Sequence, residues 1–149
     1  MRTDPGQPGL LQLGRRVLAE QPFSVLLGAE LTAFEPGRAE LRLPVRDDLK
    51  QQHGFVHGGA VSYLADNALT YAGGSVAPGH AVVTSEFKIN YLRPAIGDAL
   101  VARASVVHAG KNQAVCRCDI FAVSGEEEKL CATAQGTIAL AGARSTSEA

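Results

Sequence analysis

Between residues 58 and 73 the apolar side chains recur at helical spacing, at Val61, Leu64, Ala65, Ala68, Leu69 and Ala72. That period predicts an α-helix. The residues between them are mostly small, so the helix should be buried on more than one side. Gly73-Gly74 and Pro78-Gly79 should stop it. Upstream, residues 38–45 alternate strictly, with Ala39, Leu41, Leu43 and Val45 against Arg38, Glu40 and Arg42. This is the pattern of a half-buried strand. The turn signal Glu35-Pro36-Gly37 joins it to residues 24–34, which read as its hairpin partner. Residues 10–20 carry Leu10, Leu13, Val17 and Leu18 on one side and predict a short helix ended by Pro22. Residues 46–56 are polar and read as a loop.

Four strand-like runs follow the apolar helix, at 80–92, 98–108, 113–123 and 129–140. Arg93-Pro94, Gly110-Lys111-Asn112 and Ser124-Gly125-Glu126 separate them. Turns at this spacing predict an antiparallel meander. In the first run Ala81, Val83, Ser85, Phe87, Ile89 and Tyr91 should share one face, and Thr84, Glu86, Lys88 and Asn90 the other. The expected class is α+β, with one apolar helix and one antiparallel sheet of six strands burying each other. Sheet edges left open by such an arrangement commonly pair across a subunit boundary.

Composition narrows the function classes. The chain has 149 residues, enough for one domain, with 46% hydrophobic and 19% charged residues, which suits a packed core. Fourteen basic against 15 acidic residues give a formal net charge of -1, so nucleic acid and anionic membranes are not expected partners. The N-terminal residues show no signal-peptide pattern and no apolar run long enough to span a bilayer, so a cytoplasmic protein is expected. Cys116, Cys118 and Cys131 read as buried reduced thiols, because a lone C-x-C without a nearby His is a weak zinc signal.

The chemistry concentrates in one segment, from Gln51-Gln52-His53-Gly54-Phe55-Val56-His57-Gly58-Gly59 into the helix. Two glycines at a helix start let a ligand approach the backbone. The first-turn amides there lack intrahelical partners and suit a developing oxyanion. The alternative is that Gly58 and Gly59 serve only a sharp turn and close packing. Ser62, Asp66 and Thr70 form a polar stripe on the helix, which could hold a general base or nucleophile at Asp66 or could simply be a solvated face. Eight residues of helix separate Gly58 from Asp66, roughly 12 Å. One carbonyl cannot hydrogen-bond both, so if both act together they come from different subunits. His57 can serve the backbone at the helix start or act in catalysis. His53 is placed in the loop, and His80 and His108 at strand ends. Ser62 and Ser85 lack a Gly-x-Ser-x-Gly setting, and no phosphate-binding loop is present.

These residues resemble the hotdog-fold thioesterases of the PaaI and 4-hydroxybenzoyl-CoA thioesterase type. The likeness rests on His57-Gly58-Gly59 followed by Leu64-Ala65-Asp66, on Tyr91-Leu92-Arg93-Pro94-Ala95 with Gly97-Asp98, and on Gly110-Lys111. It covers residues 23–140, which it implies form one hotdog domain, with a helical segment at 1–22 and a flexible tail at 141–149. The resemblance implies an acyl-CoA thioesterase acting on a medium-chain or aryl acyl group. Gly58 would donate its amide to the thioester carbonyl, assisted by Gln51. Asp66 would be the base or nucleophile, and Thr70 or Thr84 would orient the water. His57 and Gly59 would lie beside the substrate, and Arg93 and Lys111 near the coenzyme A phosphates. Coenzyme A would be part of the substrate, with no metal or other cofactor. The assembly would be a homodimer with shared sites, itself pairing into a tetramer. The rival readings are a hotdog hydratase or dehydratase pairing His57 with Asp66, and a non-catalytic acyl-CoA-binding module.

Overall fold

The structure, a computed structural model, describes residues 9–143. Six antiparallel strands form one sheet: β1 (Glu30–Glu35), β2 (Arg38–Pro44), β3 (His80–Tyr91), β4 (Ala99–Ala109), β5 (Gln113–Ser124) and β6 (Glu127–Ala143). The helices are α1 (Leu10–Ala19), α2 (Pro22–Leu27) and α3 (Gly58–Ser75), with a 3-10 turn at Asp47–Leu49. Helix α3 lies across one face of the sheet. Its Leu64, Ala65, Ala68, Leu69 and Ala72 are completely buried against Leu41, Leu43, Leu100, Ile120 and Ile138. This is the α+β arrangement expected from the pattern and the hotdog form that the resemblance implied. Gly73 lets the two layers close up, because a Cβ there would sit 2.9 Å from that of Ile138. Gly73 and Gly74 therefore lie inside the helix rather than ending it.

The order across the sheet is β1-β2-β4-β5-β6-β3. Strands β4, β5 and β6 form the expected meander, but β3 does not pair with β4. Its partner is β6, at the far edge, and residues 92–98 carry the chain back to the centre. Strand β3 runs antiparallel to α3, with Tyr91 at Gly58, Thr84 at Asp66 and Val82 at Gly74.

Three further expectations are corrected. Residues 24–34 are not one strand. Pro22 occupies the first turn of α2, where its missing N–H costs nothing, and Gly28 ends that helix with a left-handed φ of 83° before β1 begins. The alternation assigned to β3 is broken by a register shift between Thr84 and Glu86. One extra residue there reverses the faces on its N-terminal side. Val83 is thus 63% exposed, while Val82 packs on the core and Thr84 faces α3. Finally, β6 runs to Ala143, three residues into the expected tail, whose remainder lies outside the described residues.

Helix α1 is fixed to this core by its backbone. Gly14 presses on Leu31 and Phe34 so closely that no Cβ would fit, and the Tyr71 hydroxyl donates to the Gly14 carbonyl at 2.8 Å. Burial, with Tyr63 nearby, pushes the Tyr71 phenol up to about 12, so it remains a donor. Helix α2 is held by a polar knot. Tyr63 donates to Ser24 at 2.6 Å, Ser24 to Gln21 at 2.6 Å, and the Asn67 amide group to all three. The three cysteines are buried and free. No described helix is long and apolar enough to cross a membrane.

Candidate active site

The start of α3 is built by its own cap. His57 precedes the helix with extended backbone, and its Nδ1 accepts the Gly59 N–H at 2.8 Å. Accepting there requires Nδ1 to be unprotonated, so any proton of the neutral ring sits on Nε2. The Ala60 and Val61 amides bond to the His57 carbonyl. Among the described residues the Gly58 N–H has no partner.

The two glycines differ in what demands them. Neither has a positive φ. A Cβ on Gly59 would lie 2.9 Å from His57 Nδ1, so Gly59 is required by the cap. A Cβ on Gly58 would meet only the Tyr91 ring, at 3.6 Å, an ordinary contact. Nothing in the protomer requires position 58 to be glycine. That residue fronts a cleft of about 410 Å³, lined by Phe55, Val61, Tyr91, Arg93 and Cys131 among others. Tyr91, absent from the sequence-derived candidates, closes one side and donates its hydroxyl to the Gly58 carbonyl at 3.3 Å. Burial raises the Cys131 thiol, which keeps it protonated beside the cleft.

Asp66 lies two turns further along α3, half-buried. The Thr84 hydroxyl donates to Asp66 Oδ1 at 2.6 Å. Thr70 stands 3.0 Å from Thr84 and 2.9 Å from the Asp66 carbonyl oxygen. Each hydroxyl has one proton: that of Thr84 is engaged by the carboxylate, and that of Thr70 is shared between the Asp66 carbonyl and the Thr84 oxygen. The result is a chain Thr70–Thr84–Asp66. Asp66 Oδ2 has no partner among the described residues, and no buried side-chain oxygen is left unsatisfied, so Oδ2 reaches accessible surface. The bulge beside Thr84 makes this contact possible. In unbroken alternation Thr84 would point away from α3. Gly136, opposite the bulge, gives it room, since a Cβ there would lie 2.5 Å from that of Phe87.

The other candidates are scattered. Gln51 Oε1 accepts the His53 backbone N–H, which folds the side chain onto its own turn and leaves only the amide NH2 to donate elsewhere. His53 stacks on Phe55. His80 pairs with the Ala141 carbonyl at 2.6 Å. Arg93 lines the Gly58 cleft, but Lys111 sits in the β4–β5 turn at the opposite end of the sheet. Along β6, Ala132 pairs with Tyr91 and Ala139 with Gln113. Seven residues of strand separate these ends, roughly 24 Å. Within one protomer Arg93 and Lys111 therefore do not meet. Among the described residues no group of His, Cys, Asp and Glu is arranged to hold a metal ion.

Comparison with known proteins places this architecture. Residues 53–129, which include Gly58, Asp66 and Thr84, match the family described as the thioesterase superfamily. The acyl-coenzyme A thioesterase PaaI of Escherichia coli K12 is 34% identical over 124 residues, covering 83% of this chain and 85% of that protein. A 1,4-dihydroxy-2-naphthoyl-CoA hydrolase of Listeria monocytogenes is 31% identical over 115 residues, 76% of this chain and 91% of its own. The crystal structure of a thioesterase family protein from Silicibacter pomeroyi superposes with a TM-score of 0.85 at 40% identity, covering 89% of this chain and 98% of that one. A matched region holding both ends of the candidate site, together with relatives alike over most of their length, makes this chain a member of the thioesterase superfamily, a family of thioester hydrolases.

Proposed function

We propose that the protein hydrolyses acyl-CoA thioesters in a site shared by two protomers, with Asp66 of one acting on a carbonyl held by the Gly58 amide of the other. The observation that carries this reading is the Asp66 carboxylate, with one oxygen bonded by Thr84 at 2.6 Å and the other open. A carboxylate held in this way has a fixed lone pair for water and little freedom to turn away. The roughly 12 Å of helix between Gly58 and Asp66 favours a partner-supplied amide, since both groups must lie within about 3 Å of the reacting atoms. Strand β3, which carries Thr84, is a sheet edge, so a second copy pairing there would reach the site.

In the reaction, water loses a proton to Asp66 Oδ2 and its oxygen bonds to the thioester carbon. The carbonyl electrons move onto oxygen, where the Gly58 N–H stabilises them. They return as the C–S bond breaks, and the Asp66 proton goes to the departing coenzyme A sulfur. Direct attack by Asp66, giving an acyl-enzyme anhydride that water then opens, uses the same groups. His57 Nδ1 is engaged by the helix cap, which weakens a hydratase pairing His57 with Asp66.

The acyl group is proposed to be a medium chain or an aryl group. The names of the two relatives support an acyl-CoA, in one case an aromatic one. Asp66→Ala, still folded and in its native association state, should lose at least about 100-fold in thiol release from acyl-CoA. Unchanged turnover would remove Asp66 from the mechanism.

A further inference from the structure

Helix α1 carries apolar side chains in two directions. One set is docked: Gly14 on Leu31 and Phe34, with Leu18 6% exposed. The other set is not. Leu10, Leu13 and Val17, at helical spacing, are 36%, 43% and 51% exposed, although the helix bearing them is pinned through Gly14 and through Arg15, which donates to the Leu31 carbonyl at 2.9 Å. They form one wall of a groove of about 650 Å³ whose floor is α3 at Asn67, Thr70 and Gly74 and whose other wall is the start of β3 at Val82. Helices α1 and α3 run in opposite directions, because Gln21 meets Asn67 while Gly14 meets Tyr71. Val17 therefore stands nearest the Asp66 end of the groove and Leu10 farthest from it.

We propose that this groove holds the acyl chain of the thioester, with Val17, Leu13 and Leu10 as successive marks that set how long a chain is accepted. The inference rests on the acyl-CoA thioesterase reading above and deepens it. The continuity that assigns the occupant is Thr70, which lines the groove and also stands 3.0 Å from the Thr84 hydroxyl that holds Asp66. A carbonyl at Asp66 thus has the apolar groove directly beside it. From Asp66 to Gly74 is eight residues of α3, roughly 12 Å. An extended chain advances about 1.3 Å per bond, by analogy with the three bonds between successive Cα atoms, so the groove takes about nine carbons. The occupant is an uncharged acyl chain, because among the described residues the lining holds no Lys or Arg for a terminal carboxylate and the His80 ring is bonded to the Ala141 carbonyl.

The test is a chain-length series of acyl-CoA substrates from butanoyl to hexadecanoyl, followed by thiol release. In the unmodified protein kcat/KM should rise by up to about fourfold per methylene and level off near nine or ten carbons. Leu13→Trp, filling the middle of the groove, should lower kcat/KM for decanoyl-CoA by about tenfold or more and leave butanoyl-CoA within about twofold. The cut-off should move in order along the helix. Val17→Trp should exclude chains about four carbons shorter than Leu13→Trp does, and Leu10→Trp should affect only the longest, since one helical turn is about 5.4 Å. If Leu13→Trp does not fold, the unmodified profile and Leu10→Trp decide alone. A flat profile, or a series in which all three tryptophans lower every substrate equally, overturns the proposal. So does a Leu13→Trp variant that changes association state without changing the profile, since the groove would then seat a second copy. Active enzyme with an unmoved profile would sink only the groove assignment, whereas no thiol release from any acyl-CoA would sink the thioesterase reading with it.

Discussion

Replacing Gly58 with alanine separates two explanations of that glycine, because the fold and the chemistry respond in opposite directions. In the protomer the new methyl would contact the Tyr91 ring at 3.6 to 3.8 Å, which is ordinary packing, and the backbone there is not left-handed. Alanine at the start of a helix is favoured over glycine by up to about 1 kcal/mol, partly through the unfolded chain. The Gly58→Ala protein should therefore melt at the same temperature or up to about 4 °C higher. The methyl projects from the residue whose free N–H is proposed to meet the carbonyl oxygen at about 3 Å. Displacing that oxygen by about 1 Å costs on the order of 10²-fold, similar to losing one oxyanion donor. The assay pairs a thermal melt with thiol release from acyl-CoA, and the expected result is preserved stability with kcat lowered about 100-fold. Turnover within about twofold of the unmodified protein would show that nothing approaches Gly58 closely, and would refute the oxyanion role. Gly59→Ala is the contrasting control. Its methyl would lie 2.9 Å from His57 Nδ1 and must break the cap, so it should lose about 1 kcal/mol of stability.

Three further outcomes follow from the Asp66 contacts and from burial. Thr84→Val keeps the side-chain shape but removes the donor to Asp66, a bond to a charged group worth about 1.5–3 kcal/mol. Steady-state kinetics should show kcat down about 10- to 100-fold, largely recovered in Thr84→Ser, while Thr70→Val, which reaches Thr84 rather than the carboxylate, should cost less. Equal losses in the two valine variants would contradict this order. Burial pushes Cys116 up to about 11, Cys118 to about 12 and Tyr71 to about 12, from ordinary values of 9.0, 9.0 and 10.0. In each case the unfolded chain releases its proton first, so these groups leave stability intact below about pH 9 and erode it as pH rises from there toward 12. Melting temperature should be level from pH 7 to about 8.5 and fall beyond it. A thiol reagent at pH 8 should leave Cys116 and Cys118 untouched until the chain unfolds; rapid labelling of the native protein would contradict their burial.

The central helix was legible because its period is long and unbroken, and Asp66 stood out as a carboxylate on an apolar element. The contacts that give Asp66 its meaning were hidden. A bulge is one residue without a ladder partner, and nothing in the run Val82-Val83-Thr84-Ser85-Glu86 distinguishes it from plain alternation. Thr84 was consequently placed on the outer face, although the resemblance offered it as a site residue. Residues 22–27 were missed for a related reason, since six residues of helix are too few to show a period. Unpartnered amides at the helix start were legible, and the resemblance named Gly58 among them; what stayed hidden is that the His57 side chain takes the neighbouring Gly59 N–H. Strand order escaped the sequence too, since turn signals mark where strands end but not which strand lies beside β3.

The shared site is tested most directly by mixing two inactive proteins. Gly58→Ala and Asp66→Asn, each folded and each nearly inert alone, would be dissociated together, reassociated in equal amounts and assayed for thiol release from acyl-CoA. In a two-fold dimer whose sites draw Gly58 from one chain and Asp66 from the other, half of the dimers are mixed. One of the two sites in each mixed dimer is intact, so about a quarter of the unmodified activity should return. A mixture that stays as inactive as its components, with mixed dimers demonstrably present, would contradict the account.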